Sequence, residues 1–369
     1  MRVKEQIIIL KIFIAISIPF IAVIIAQLCT NTSYTEISKL SFENEHNPLR
    51  LHIIGDFGEL HPNTTYNSTL PVKLVAHLMD HRAKVYPISF IISLGDNFYP
   101  NLSSVFDPMA HTIMNEIFDL ESIKIKPWYL ILGNHDYQVD PYDQIEMNKL
   151  YAMWNLPDYY YNKTLKIDNG FFVSFIFLDG VVLEGSASER KTKHYEWLEK
   201  ILEDQAQDPT IKWKFVVNHM AFFSSSTGHA DSEPLKQELF PLLYKYKIDI
   251  YFAGHSHVMS HFVTEYSSVE PNYTALGKGN YDCSFSTYTP YGTSTNYNKG
   301  FAMHEVVQGC GGGDLNLMCT NKTTSMANLI FNSATYGYSE LYISSQMVQV
   351  SYFNIFNSEP IYSFEIWGN

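Results

Sequence analysis

Cysteine is scarce in this chain, and its spacing excludes one common kind of metal site. The 369 residues contain four cysteines, Cys29, Cys283, Cys310 and Cys319. No two of them form the C-x-x-C pair of a zinc ribbon, so a structural zinc site of that kind is excluded. In an oxidising compartment a Cys310–Cys319 or a Cys283–Cys310 disulfide is compatible with the spacing, and the sequence leaves both pairings open.

Positive charge is also in short supply. Lys and Arg number 25 against 38 Asp and Glu, which gives a formal net charge of -13. Because nucleic-acid-binding proteins usually carry a basic face, this balance argues against a nucleic-acid partner. It does not argue against a small phosphate ester, since bound metal ions would supply positive charge locally.

Internal repeats and breaks in composition are absent as well. A chain that is 46% hydrophobic can bury a sizeable core. We therefore expect one α/β domain over residues 49–369, preceded by an N-terminal segment and by a linker over residues 30–48.

Long apolar runs are confined to the N-terminus. Residues 7–28 are strongly apolar apart from Lys11, so residues 1–29 are predicted to be a cleaved signal peptide or an uncleaved membrane anchor. Either alternative sends the chain into the secretory pathway, to be secreted, held in a lysosomal or vacuolar lumen, or attached to the lumenal face of a membrane through residues 7–28. Six N-x-Ser/Thr sequons favour a glycoprotein, at Asn63, Asn67, Asn101, Asn162, Asn272 and Asn321.

Strand and helix patterns alternate up to residue 253. Strand patterns are found at 51–55, 88–94, 127–132, 171–179, 213–218 and 249–253, and helical patterns at 70–84, 108–120, 143–153, 191–205 and 234–247. This alternation predicts an α/β fold. After residue 257, strand patterns without long helices predict antiparallel strands that complete a second sheet, and residues 267–300 predict a surface insertion.

Seven side chains suited to metal binding follow short apolar runs. They are Asp56, Asp96, Tyr99, Asn134, His219, His255 and His257, distributed over five predicted strand ends. A single Asp after a strand is more often a helix cap, but five such motifs suggest strand ends that converge on one centre. Oxygen and nitrogen ligands suit iron, manganese or zinc, and this set is large enough for two ions.

The five motifs resemble those of metallophosphoesterases. They are GDFG (55–58), GDNFY (95–99), GNHD (133–136), NH (218–219) and GHSH (254–257). GDNFY looks like the form found in purple acid phosphatases, most of all the small tartrate-resistant type, and the resemblance runs from about residue 50 to the C-terminus. It implies a four-layer sandwich in which helices flank two mixed β-sheets. It also implies a binuclear-metal acid phosphatase, in which a metal-bound hydroxide attacks a phosphomonoester.

The resemblance assigns a role to each candidate residue. Asp56, Tyr99 and His257 would hold Fe(III), Asp96 would bridge both metals, and Asn134, His219 and His255 would hold a divalent ion, Fe, Zn or Mn. Catalytic roles fall to His135 and His229, which would contact the phosphate or assist the leaving group. Asp136 is expected to support its neighbours from behind the ligands.

One departure from the family pattern lies beside a candidate ligand, and two others are the short stretch between Leu178 and the 191–205 helix and the insertion at 267–300. The family usually has glycine before the histidine at position 219 and proline two residues after it, where this chain has Asn218 and Ala221.

Two other functions stay open. Some relatives, such as the glideosome-associated protein of apicomplexan parasites, use the fold as a membrane-associated scaffold, and others act on nucleotides or phosphodiesters.

Overall fold

The computed structural model describes residues 48–60, 70–267, 295–319 and 327–368. The expected export segment lies outside these residues. So does the expected linker apart from Pro48, and so do positions 268–294 of the expected insertion. No helix of the described ranges is long and apolar enough to cross a membrane.

Fifteen described strands form two mixed sheets. The first has the spatial order β10–β15–β14–β13–β1–β2–β3–β4 and contains β1 (Leu49–Ile54), β2 (Phe90–Ser93), β3 (Trp128–Leu130), β4 (Trp154–Asn155), β10 (Thr295–Asn298), β13 (Gly337–Ile343), β14 (Met347–Asn354) and β15 (Tyr362–Trp367). The second has the order β12–β9–β11–β8–β7–β6–β5 and contains β5 (Tyr161–Lys166), β6 (Phe172–Phe177), β7 (Ile211–Val217), β8 (Ile250–Ala253), β9 (Met259–Glu265), β11 (Ala302–Gln308) and β12 (Asn328–Ser333).

The helices cover the outer faces of the sheets. They are α1 (Pro71–Val85), α2 (Pro108–Thr112), α3 (Tyr142–Glu146), α4 (Gly180–Glu184), α5 (Glu189–Gln207) and α6 (Glu233–Lys245). A π-helical turn, Ile113–Ile117, extends α2, and short 3-10 turns lie at Asp136–Gln138, Met147–Lys149 and Asp168–Gly170. The predicted helices at 108–120 and 143–153 are therefore each a short α-helix followed by a turn of different winding.

Three apolar clusters define the layers. The central cluster joins inward side chains of both sheets, such as Ile92 of β2 and Phe175 of β6. A second cluster packs α1 against the outer face of the first sheet, and a third packs α5 and α6 against the outer face of the second. Because side chains alternate along a strand, β6 serves two clusters, with Phe175 facing inward and Ile176 facing the helices. The expected four-layer sandwich is confirmed.

The expectation that all strands after residue 257 complete a second sheet is wrong. Strands β9, β11 and β12 join the sheet of β8, whereas β13, β14 and β15 extend the first sheet beside β1. Two of the pairings made by strands after residue 257 are parallel, β11 with β8 and β10 with β15. Alternating apolar residues predict a half-buried strand, but they do not specify its neighbour.

The cysteine predictions are also corrected. Cys310 is a free, fully buried thiol, so both proposed pairings that include it are wrong. Cys319 is disulfide-bonded. Cys310 follows β11 in the central apolar cluster, where a small apolar side chain is required.

Candidate metal centre

The seven predicted ligands meet where the parallel strands of the two sheets end. Strands β1, β2 and β3 of the first sheet lead to Asp56, Asp96 and Asn134, and β7 and β8 of the second lead to the three histidines. The φ angles of Asp56, Asp96 and His255 are 57°, 51° and 63°. Left-handed backbone is uncommon for residues other than glycine and clusters at functional sites, so these turns mark the centre independently of its side chains.

One group of candidate ligands surrounds the phenol of Tyr99. Its Oη donates to Asp96 Oδ2 at 2.9 Å and lies 3.2 Å from Asp56 Oδ1 and 3.2 Å from His257 Nε2. His257 Nε2 also lies 3.4 Å from Asp56 Oδ1. Asp56, Asp96 and Tyr99 are almost fully buried, so two carboxylates and a phenol share a small space that excludes water.

A second group surrounds the imidazole of His219. His219 Nε2 lies 3.1 Å from Asn134 Oδ1 and 3.5 Å from Asp96 Oδ1, and the His219 and His255 ring centroids are 5.1 Å apart. Asp96 therefore has one oxygen toward each group. The potential ligand atoms of Asp56, Asp96 and His219 all lie within 4.8 Å of one another.

The charges of these groups are strongly coupled. Burial alone would raise the pKa of Asp96, but the charge and hydrogen bond of His219 lower it. Burial alone would lower the pKa of His219, but the Asp96 carboxylate outweighs burial and raises that pKa to about 10. Burial raises the pKa of Tyr99 well above its usual value, and Asp56 and Asp96 raise it further. The cluster thus calls for positive charge beside its oxygens, which a metal ion supplies. The residues fit a metal centre.

Hydrogen bonds on the far side of two histidines direct their other ring nitrogens inward. His219 Nδ1 is 2.8 Å from Leu94 O, and His257 Nδ1 is 2.5 Å from Asp314 O. Because a carbonyl oxygen accepts, each Nδ1 carries a proton, and Nε2 is the ring atom that faces the centre and would bind a metal ion once its own proton is displaced. Burial lowers the pKa of His255 to about 2, with His219 adding to the effect, so the His255 imidazole is neutral, which is the form that binds a metal ion.

The predicted catalytic histidines lie on either side of this centre, half-buried. The ring of His135 lies 4.5 Å from that of Tyr99, and the ring of His229 lies 4.0 Å from that of His255. His135 also donates its backbone N–H to Asp96 Oδ1 at 2.9 Å. All nine candidate residues are thus brought to one place.

A polar network behind the ligands was only partly predictable. The buried carboxylate of Asp136 accepts from Gly133 N at 2.8 Å, from Asn97 N at 3.1 Å and from Gln144 Nε2 at 2.6 Å. It thereby joins the loop after β2 to the loop after β3, in the supporting position expected for Asp136. Asn97 could have been inferred from its place inside GDNFY. Gln144 lies on α3 outside every motif, and nothing in the sequence marks it.

Glycine is required where the two loops touch. A Cβ atom on Gly133 would lie 2.1 Å from Asp96 Oδ1 and 2.4 Å from the backbone nitrogen of Asp96. Any side chain at this position would displace the shared carboxylate. The glycine of GNHD is therefore fixed by the close approach of the neighbouring loop.

Two facing mixed sheets with Asp, Asn and His at converging strand ends define a metallophosphoesterase fold and site. Residues 49–259 match the family described as calcineurin-like phosphoesterase. Because this match spans more than half of the 369 residues, the chain belongs to the calcineurin-like phosphoesterase family.

Similar curated proteins are purple and tartrate-resistant acid phosphatases, which confirms the resemblance. Purple acid phosphatase 4 of Arabidopsis thaliana is 31% identical over 229 residues, covering 59% of this chain and 65% of that protein. Purple acid phosphatase 3 of the same plant is 30% identical, covering 62% and 61%. Tartrate-resistant acid phosphatase type 5 of Homo sapiens is 27% identical, covering 63% and 73%. The chain thus spans just under two thirds of the length of the two plant relatives.

Solved structures with similar folds include an enzyme and an anchor. "GAP50 the anchor in the inner membrane complex of Plasmodium" aligns with a TM-score of 0.66 and 20% identity, covering 86% of this chain and 87% of that one. Purple acid phosphatase PPD1 from yellow lupin seeds aligns with a TM-score of 0.57 and 19% identity, covering 88% and 55%. At these identities the likeness confirms the fold.

Proposed function

We propose that this protein is an exported, binuclear-metal acid phosphatase that hydrolyses phosphomonoesters. The observation that carries the proposal is the position of Asp96. Its Oδ2 lies 2.9 Å from Tyr99 Oη and its Oδ1 lies 3.5 Å from His219 Nε2. One carboxylate between two ligand groups is the arrangement that a pair of neighbouring ions requires.

The ligand groups differ in chemistry, which supports two different metals. Asp56, Tyr99 and His257, with Asp96, would hold Fe(III), because a ferric ion favours anionic oxygen ligands. The second set would hold a divalent iron, zinc or manganese ion and consists of Asn134, His219 and His255, again with Asp96. When bound, the two ions activate water for in-line attack and neutralise charge on the phosphoryl group.

Two histidines would act on the substrate. Pro100 O and Gln138 Nε2 lie 3.2 Å and 3.0 Å from His135 Nδ1, so we expect Nε2 of His135 to meet the substrate. The ring of His229 lies 4.0 Å from that of His255 and 5.7 Å from that of His257, which favours a place for His229 on the divalent side. An imidazole in either position can donate a hydrogen bond to a phosphate oxygen or protonate the leaving oxygen.

The test measures phosphatase activity of the chain without residues 1–29, purified with iron, on a generic aryl phosphate near pH 5. The metal content of the same protein is determined. Turnover with one iron and one divalent ion per chain is the expected result. A protein that binds no metal, or binds two ions without hydrolysing any phosphomonoester, contradicts the proposal.

Replacing Tyr99 by phenylalanine provides a spectroscopic prediction. A tyrosinate on Fe(III) absorbs visible light, so the iron-loaded wild type is expected to be coloured and Tyr99→Phe colourless. Tyr129→Phe is a matched control, since Tyr129 is also buried and lies on β3. An absorption band that survives in Tyr99→Phe assigns the colour to another ligand.

Export is part of the proposal. Residues 1–29 would act as a signal peptide or an anchor, and the chain would be glycosylated in the secretory pathway. Asn162 supports this, because it is exposed on β5, the edge strand of the second sheet. Glycosidase treatment of protein from the native host should lower its apparent mass.

The second candidate function is a membrane-associated scaffold. It is favoured by the alignment with the inner-membrane-complex anchor, which covers most of both chains. The assay separates the two functions, since a scaffold would remain on membranes in a protein complex and would show no turnover even when loaded with metal.

A further inference from the structure

Asn218 lies directly before the ligand His219 and departs from the family's usual glycine. Its side chain is fully buried. Asn218 Oδ1 accepts a hydrogen bond from His219 N at 2.8 Å, and Asn218 Nδ2 donates to Tyr251 Oη at 2.7 Å. The amide therefore connects the main chain of a ligand residue to a side chain of β8.

Tyr251 continues this chain of hydrogen bonds. Its hydroxyl donates to Met220 O at 2.6 Å, on the other side of His219. Because the single hydroxyl proton is used there, Tyr251 Oη must accept from Asn218, which fixes the orientation of the amide. The backbone of His219 is thus held before and after the residue by one continuous network.

Gly180 provides the space for this amide. A Cβ atom on Gly180 would lie 2.0 Å from Asn218 Oδ1, and the amide, held by two hydrogen bonds in a closed core, cannot move aside cheaply. Gly180 opens α4 immediately after β6, so the position of Asn218 depends on three adjacent strands of the second sheet, β6, β7 and β8.

The same network also limits the direction in which the His219 imidazole can point. Leu94 O holds His219 Nδ1 from the first sheet at 2.8 Å, while Asn218 holds the backbone of His219 from the second. With both ends fixed, Nε2 can point only toward Asn134 and Asp96. Ligand residues held in this way bind metal more tightly, because less ordering remains when the ion arrives.

We propose that Asn218, braced by Tyr251 and accommodated by Gly180, is a positioning residue for the divalent-metal half of the centre. This inference rests on the proposed binuclear centre. It assigns to Asn218 no contact with substrate. It also assigns no effect on the ferric half, because the two hydrogen bonds of the Asn218 amide go to His219 and Tyr251.

The experiment titrates Zn²⁺ into iron-loaded protein that has been freed of divalent metal. Asn218→Gly is expected to weaken Zn²⁺ binding by about 10- to 100-fold, the usual effect of removing a group that orients a ligand. The visible absorption band should remain unchanged. Tyr244→Phe is the matched control, since Tyr244 is a buried tyrosine whose hydroxyl donates to Glu265 O on β9, and its Zn²⁺ affinity should equal that of the wild type.

A double-mutant cycle separates positioning from general damage to the fold. Gly180→Ala should weaken Zn²⁺ binding through its clash with Asn218, and adding Asn218→Gly removes the clashing atom. The double variant should therefore bind Zn²⁺ no worse than Asn218→Gly alone. Thermal unfolding in chelator shows which variants are folded, and Tyr251→Phe, which removes only the hydroxyl, tests the same network if Gly180→Ala does not fold.

The outcomes are distinct. Wild-type protein that binds neither iron nor Zn²⁺ overturns the proposed function and this inference with it. Wild-type binding of both ions, with Zn²⁺ affinities of folded Asn218→Gly and Tyr251→Phe within twofold of wild type, overturns the inference and leaves the proposed function standing. Loss of the ferric band in Asn218→Gly also overturns it, because the effect would not be confined to the divalent half.

Discussion

Asp96→Asn is expected to lower kcat/KM for an aryl phosphate by roughly 1,000-fold or more. Asparagine keeps the shape of the side chain but offers one oxygen in place of two. Asp96 Oδ2 faces Tyr99 and Oδ1 faces His219, so one half of the centre loses its shared ligand whichever way the amide turns. The measurement is steady-state kinetics with metal content determined on the same sample.

A matched control shows whether the loss is specific. Asp249 is also a buried aspartate and pairs with Lys299 at 2.7 Å, at the opposite end of β8 from the centre. Asp249→Asn should change kcat/KM by less than about threefold, although it lowers the melting temperature by leaving Lys299 unpaired. Near-normal turnover by Asp96→Asn would rule out a shared carboxylate as the basis of catalysis.

The convergence of the candidate ligands could be predicted because a simple rule connects sequence to position. Residues that follow parallel strands meet at one edge of the sheet, so Asp56 and Asp96 could be placed together without coordinates. The same rule served both sheets, since β7 and β8 are also parallel and end at the same rim. A position immediately after a strand is the most reliable spatial information in an α/β sequence.

Positions that depend on distant packing could not be predicted. Besides its sequence neighbour β14, β13 pairs with β1, almost 300 residues away in the sequence, and alternation of apolar residues does not encode that choice. Gln144 reaches Asp136 from a short helix whose pattern is unremarkable. In the sequence Asn218 is only a departure from the family pattern, because its close approach to Gly180 and its hydrogen bond to Tyr251 depend on how β6, β7 and β8 pack.

Four histidines outside the motifs are buried, which makes the stability of the folded protein depend on pH. They are His52, His194, His261 and His304. Burial lowers the pKa of each of them, to about 3 for His194 and His304. The unfolded chain takes up protons as the pH falls below 6.5, while in the folded protein these rings take up protons only at lower pH. Acid therefore favours the unfolded state, in a protein proposed to work near pH 5.

At His194 this loss of stability in acid can be measured for a single residue. Its ring stacks on Tyr160 with centroids 3.9 Å apart, and neither ring nitrogen has a hydrogen-bond partner within the described part of the chain. His194→Phe keeps an aromatic ring for the stack and removes the titration. Each pH unit between 6.5 and about 3 costs the wild type about 1.4 kcal/mol at this residue.

The free energy of unfolding of His194→Phe, relative to wild type, should therefore rise by about 2–3 kcal/mol between pH 8 and pH 4.5. Denaturant unfolding of metal-free protein at both pH values measures the difference. A change in packing from the larger ring contributes equally at both, so pH 8 serves as the internal reference. Parallel stability curves for variant and wild type would mean that His194 takes up a proton as readily in the folded protein as in the unfolded chain, and would contradict the prediction.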